Sequence, residues 1–86
     1  MVDYPVTTPE ENTVPRRMTW REIADDLTRR IAAGEFLPGE SIPSYARTAD
    51  HYGVSVTTAA RAIALLHERG LIETDPGRGN VVRERS

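Results

Sequence analysis

The side chains with the most recognition chemistry to offer lie between Ser55 and Arg61, where Val56 and Ala60, and Thr57 and Arg61, recur one helical turn apart. Neither line coincides with Ala59, Ala62, Ile63 and Leu66, whose spacing of three, one and three marks the face that a helix buries. Hydroxyls, methyls and a planar guanidinium along an exposed helix edge are groups that read base edges in a major groove. Residues 53–70 are therefore predicted to hold a DNA recognition helix. Ser55 is its N-cap, accepting from an otherwise unpartnered first-turn N–H. Gly70 ends it in a left-handed conformation, with Arg69 near the negative end of the helix dipole.

The charge balance points the same way once it is divided. The net charge of −2 over 86 residues hides an N-terminal stretch, residues 1–15, with Asp3, Glu10 and Glu11 and no basic residue. The remainder is slightly positive, with 11 basic residues against ten acids. All 11 are arginine, planar forks suited to phosphates and guanine edges, although a GC-rich genome would favour arginine codons as well. A chain of this length accommodates one small domain with a marginal core and no second, effector-binding domain. With no cysteine, neither a disulfide frame nor a thiolate metal site is available, and an intracellular, cytoplasmic setting fits. No apolar run approaches the roughly 20 residues of a membrane span, and the N-terminus lacks a signal-peptide pattern.

Other elements must position that helix. Residues 1–17 carry Pro5, Pro9 and Pro15 and few apolar side chains, so a disordered tail is expected there, with residues 18–86 as the folded domain. The alternatives are an arm reaching DNA through Arg16 and Arg17, or a segment that orders against a partner chain. Thr19-Trp-Arg-Glu22 is a capping box that starts a first helix. Its stripe is Trp20, Ile23, Ala24, Leu27 and Ile31, with Arg21, Asp25, Asp26, Arg29 and Arg30 outside and Gly34 as the stop. Phe36-Leu-Pro-Gly39 reads as a type II turn, and residues 40–42 as a short extended piece ended by Pro43. Ser44 then caps a second helix from Tyr45 to Tyr52, with Ala46, Ala49 and Tyr52 inward and Gly53 as its breaker. After the recognition helix, residues 71–74 and 80–83 flank a turn-rich loop, residues 75–79, and form a hairpin with Arg78 near its tip. The expected fold is mainly α with a small β-hairpin, a winged helix-turn-helix.

Enzymatic chemistry is not visible. His51 and His67 stand apart with no cysteine, do not match zinc-ligand spacing, and are expected to be exposed helix residues. Gly77-Arg-Gly79 lies in a hairpin rather than between a strand and a helix, so it is no phosphate loop. Neither a catalytic group nor a metal or other cofactor is expected.

The run Trp20-Arg-Glu-Ile-Ala24, Ile31-Ala-Ala-Gly-Glu35, Leu37-Pro-Gly39, Ile42-Pro-Ser44, Tyr52-Gly-Val-Ser55, Thr58, Ala62-Ile63, Leu66, Gly70-Leu71, Gly77-Arg-Gly79 and Val82 resembles the DNA-binding domain of GntR-type transcription regulators. The resemblance covers residues 19–83 and implies a bacterial winged helix-turn-helix repressor that binds double-stranded DNA at a palindromic operator, as a homodimer on the DNA. It implies a contact surface of Ser44, Tyr45, Arg47, Ser55, Val56, Thr57, Thr58, Ala60, Arg61, Arg78 and Gly79. Three habitual arginines are absent: the family has Glu-Arg-Glu where this chain has Tyr45-Ala46-Arg47, and arginines where it has Val56 and Ala60. Arg47 is the candidate substitute. The family also appends an effector-binding and dimerisation domain for which these residues leave no room, so no small-molecule effector and a monomer in dilute solution are expected. The competing reading is a winged helix used for protein contact, as an accessory or anti-regulator.

Overall fold

Each helix opens on a hydroxyl. In the computed structural model, which describes residues 18–84, Thr19 Oγ1 accepts from the Glu22 N–H (3.1 Å) and Glu22 Oε1 accepts from the Thr19 N–H (2.9 Å). This completes the expected capping box at the head of α1 (Trp20–Ala32). Ser44 Oγ accepts from the Arg47 N–H at the start of α2 (Tyr45–Tyr52), and Ser55 Oγ from the Thr58 N–H at the start of α3 (Val56–Glu68). Each cap satisfies a donor that the first helical turn leaves without a partner. The tail expected at residues 1–17 lies outside the described residues.

Between α2 and α3 only residues 53–55 intervene. Gly53 sits at φ +67°, where a Cβ would be strained, and this reversal lets the Gly53 and Val54 N–H groups reach the carbonyls of Asp50 (3.3 Å) and Ala49 (3.0 Å). The helix-turn-helix angle is thereby set by the backbone itself.

The core forms where α1 crosses α3. Ile23, Ala24 and Leu27 meet Ala62, Ile63 and Leu66, all buried, with Ile42, Ile72 and Val82 closing the open end. Each fully buried leucine or isoleucine contributes about 1.5–3 kcal/mol. Trp20 and Ile31, expected within the α1 stripe, pack at its edges and are half-buried.

α2 departs from expectation. Ala46 is exposed, and the buried positions are Thr48 and Ala49. The eight-residue helix rests on α3 through its second half, which turns position 46 outward; the Thr48 hydroxyl is satisfied locally by the Pro43 carbonyl (3.4 Å). Asp26 and Arg30, expected in solvent, are half-buried against Tyr52. The Tyr52 hydroxyl donates to Asp26 Oδ2 (2.6 Å) and accepts from Arg30 Nη1 (3.2 Å), while Arg30 Nε donates to Glu35 (2.9 Å). A long side chain at the end of α2 reaches across to α1, a link that helical periodicity cannot reveal.

The hairpin pairs β1 (Ile72–Asp75) with β2 (Gly79–Val82) antiparallel, in the register Ile72↔Val82 to Asp75↔Gly79. β1 starts one residue later than expected because the Leu71 N–H closes the end of α3 on the Leu66 carbonyl (3.0 Å). β2 starts one residue earlier, at Gly79. The turn after α1 spans residues 37–40, one step on from expectation: the Glu40 N–H bonds to the Leu37 carbonyl (2.9 Å), with Gly39 at φ +87° in third position. The extended piece that follows pairs with the outer edge of β2. Val82 N–H donates to Glu40 O and Ile42 N–H to Asn80 O, both at 2.9 Å, around a bridge between Ser41 and Val81. The hairpin is thus tied to the α1–α2 connection on one side and to α3 on the other.

The bond from Tyr52, helped by Arg29 and Arg30 and opposed by partial burial, holds the Asp26 carboxyl below its ordinary value of 3.8. A depressed carboxyl contributes stability above 3.8 that is lost as the pH falls through the folded value. Tyr52→Phe is expected to lower stability at pH 7 by about 1 kcal/mol, with the deficit shrinking below the ordinary carboxyl value. Urea titrations of both proteins at pH 7 and pH 3 check this; an equal deficit at both would contradict it.

Candidate nucleic-acid interface

With its buried stripe packed on α1, α3 turns Val56, Thr57 and Arg61 outward, while Thr58 and Ala60 are half-buried at the two margins. Val56 keeps 50% of its surface in contact with solvent and Tyr45 43%. Ser44, Tyr45, Ala46 and Arg47 are exposed at the start of α2. The Ser55 hydroxyl is engaged twice, accepting from the Thr58 N–H and donating to Thr58 Oγ1 (3.1 Å).

The arginines fall into two groups. Arg29, Arg30, Arg69 and Arg78 pair with Asp26, Glu35, Asp25 and Asp75 at 3.0, 2.9, 2.8 and 3.5 Å. Among the described residues no such ion pair neutralises Arg21, Arg47, Arg61 or Arg83. Arg61 is exposed, but its guanidinium lies over the Trp20 ring, 4.8 Å from the centroid, as does that of Arg21. This contact across elements has no local signal in the sequence.

The wing is braced at both ends. Arg78, expected near the tip, donates to the Gly39 carbonyl, approaches Asp75, and accepts through its own carbonyl from Ser41 Oγ (3.0 Å). Its N–H closes the loop on the Asp75 carbonyl (3.0 Å), and Gly79 begins β2 beside it. His67, expected to be exposed, is half-buried: its Nε2–H donates to Asn80 Oδ1 (2.9 Å), which also accepts from the Thr74 hydroxyl (3.2 Å). One amide oxygen thereby couples α3 to both wing strands. Among the described residues no group of three or more His, Cys, Asp or Glu is disposed to hold a metal, and no helix is long and apolar enough to cross a membrane.

Residues 19–82 match the family described as bacterial regulatory proteins, gntR family. The chain belongs to the GntR family. The family is one of regulators rather than enzymes. The GntR chain is 35% identical over 65 residues to the mannosyl-D-glycerate transport/metabolism system repressor MngR of Escherichia coli, covering 76% of this chain and 27% of that one. Its fold resembles that of YtrA from Sulfolobus acidocaldarius, a GntR-family transcription factor, with a TM-score of 0.72, 30% identity, and coverage of 85% of this chain and 63% of the other. It also resembles the AraR DNA-binding domain solved in complex with operator ORR3, with a TM-score of 0.68, 28% identity, and coverage of 73% and 76%. The chain spans about a quarter of the length of curated relatives such as MngR. Three helices with a two-stranded hairpin form the winged helix-turn-helix of the GntR DNA-binding domain.

Asn80→Ala removes the acceptor shared by His67 and Thr74. Amide exchange across β1 and β2 is expected to quicken, with global stability falling by about 1 kcal/mol. Exchange unchanged in the hairpin would show that the ladder alone holds the wing.

Proposed function

We propose that this GntR domain binds duplex DNA sequence-specifically and serves a transcription repressor acting at a palindromic operator in the cytoplasm. The observation that carries the reading is the outward edge of α3, where Val56, Thr57 and Arg61 stand clear of the core. The solved complex of the related AraR domain with its operator supports it. In this reading α3 enters the major groove, Val56 and Ala60 offer methyl contacts to thymine, and Thr57 and Thr58 bond to base or phosphate oxygens. Ser44, Tyr45 and Arg47 at the start of α2 and Ser55 at the start of α3 approach the backbone. Arg78 and Gly79 bring the wing alongside, after Arg78 releases the Gly39 carbonyl.

One observation favours a second reading, a winged helix used for protein contact. The family's three usual arginines are replaced by Ala46, Val56 and Ala60, which leaves an apolar surface at the N-terminal ends of α2 and α3. A selection of bound fragments from the genome, followed by salt titration, separates the two: log K should fall against log salt with a slope of about −0.9 per phosphate contacted. No binding to any duplex at low salt would leave the protein-contact reading.

Within the DNA reading, Val56→Arg is expected to shift the selected operator toward guanine at one step, worth about 1–3 kcal/mol of discrimination. An unchanged site preference would show that position 56 does not meet a base.

Among the described residues the exposed large apolar side chains are Leu37, Tyr45 and Val56, far from the roughly 800 Å² per partner of a stable interface. These 86 residues are therefore expected to sediment as a monomer at micromolar concentration. On a palindrome two copies are expected to bind, with half-sites about 10 base pairs apart raising their effective concentration. A stable dimer without DNA would contradict this.

A further inference from the structure

Trp20, at the first position of α1, carries two arginines on one ring. The guanidinium carbons of Arg21 and Arg61 each lie 4.8 Å from its centroid, so the two cations cannot be farther apart than twice that distance. No ion pair among the described residues neutralises either cation, whereas Arg29, Arg30, Arg69 and Arg78 each have a carboxylate. Both arginines are exposed and the indole beneath them is half-buried, packed against the core. The electron-rich indole holds both cations in place, and neither is offset by an ion-paired carboxylate among the described residues.

We propose that Trp20, Arg21 and Arg61 form a clamp on the DNA backbone at the flank of α3, with each arginine taking one phosphate, an assignment that rests on the DNA-binding reading above. Holding a guanidinium over a ring leaves N–H donors at its rim, the edge that bonds phosphate oxygens two at a time. It also restricts the side chain before the anion arrives, so less rotamer freedom is lost on binding. Arg61 lies one turn beyond Thr57 on the outward line of α3, yet its head is drawn toward α1. Such an arginine meets the wall of a groove that α3 occupies, where the phosphates are, rather than the base edges on its floor. The clamp thus reassigns Arg61 from reading sequence to fixing register, and adds Trp20 and Arg21 on α1 to the contact surface.

The test is a salt titration of the intact chain on a duplex chosen by genomic selection and on an unrelated duplex, for the wild type, Arg21→Gln, Arg61→Gln and Arg29→Gln. The two clamp variants should each reduce the salt slope by about 1 and weaken binding to both duplexes alike, by about eightfold at 0.1 M salt, vanishing on extrapolation to 1 M. Arg29→Gln removes the same charge from an existing ion pair and should leave the slope unmoved. Trp20→Leu should weaken binding without changing site preference, with recovery in Trp20→Phe; thermal melts establish that both fold. Because Trp20 is the only tryptophan, its fluorescence should change on titration with DNA. Wild-type binding with slopes unmoved in both arginine variants would overturn the clamp alone, as would a change of base preference in Arg61→Gln. Absence of wild-type binding to any duplex at low salt would overturn the DNA reading and the clamp with it.

Discussion

The crossing of α1 and α3 is the contact on which the rest of this small domain depends. Ile23 and Leu27 on one helix and Ile63 and Leu66 on the other are buried almost completely, and Ala24 and Ala62 are buried alongside them. Removing a large side chain from such a site costs about 2–5 kcal/mol, a large part of what a chain this size has. The same contact sets the rotation of α3 about its axis. Once Ala59, Ala62, Ile63 and Leu66 are committed inward, Val56, Thr57 and Arg61 have no direction left but outward. The packing that stabilises the domain is also what decides which face of α3 is exposed.

The elements around that crossing are tied by polar contacts of long sequence separation. Tyr52 joins α2 to α1 through Asp26 and Arg30, Arg69 joins the end of α3 to Asp25 and Thr28, and Asn80 joins the wing to His67. Most of these are partly exposed, so each is worth little alone. Their value is in orientation: they hold α2 and the wing at fixed attitudes to α3 without spending the few large apolar residues available. The edge pairing of residues 39–42 with β2 does the same for the hairpin, which as an isolated two-stranded unit would be marginal.

The distribution of arginine gives the surface its asymmetry. Four described arginines are matched to carboxylates, while Arg21, Arg47, Arg61 and Arg83 have no such ion pair, the first three on or beside the helix-turn-helix. A chain with net charge −2 can therefore present a locally positive face. Within that face, Ala46, Val56 and Ala60 offer methyl groups rather than charge at the starts of α2 and α3.

Much of this was legible in the residues alone, because the signals are local. A hydroxyl followed three residues later by a glutamate makes a capping box in any context, a serine before an apolar-periodic run makes a cap, and Gly53 between two such runs makes a tight reversal. The three helices, their caps and the hairpin follow from such short-range rules, and the motif spacing pointed to GntR. What the residues could not disclose depends on which surfaces meet. Ala46 and Thr48 exchange the roles that periodicity suggests because an eight-residue helix docks by one end. His67 and Asp26 are drawn in by partners 13 and 26 residues away. Arg61 looks like a free recognition arginine until α1 brings Trp20 beneath it. Local backbone preferences act over a few residues and are written in order along the chain; the direction of a long side chain is decided by neighbours that only the packed core brings within reach.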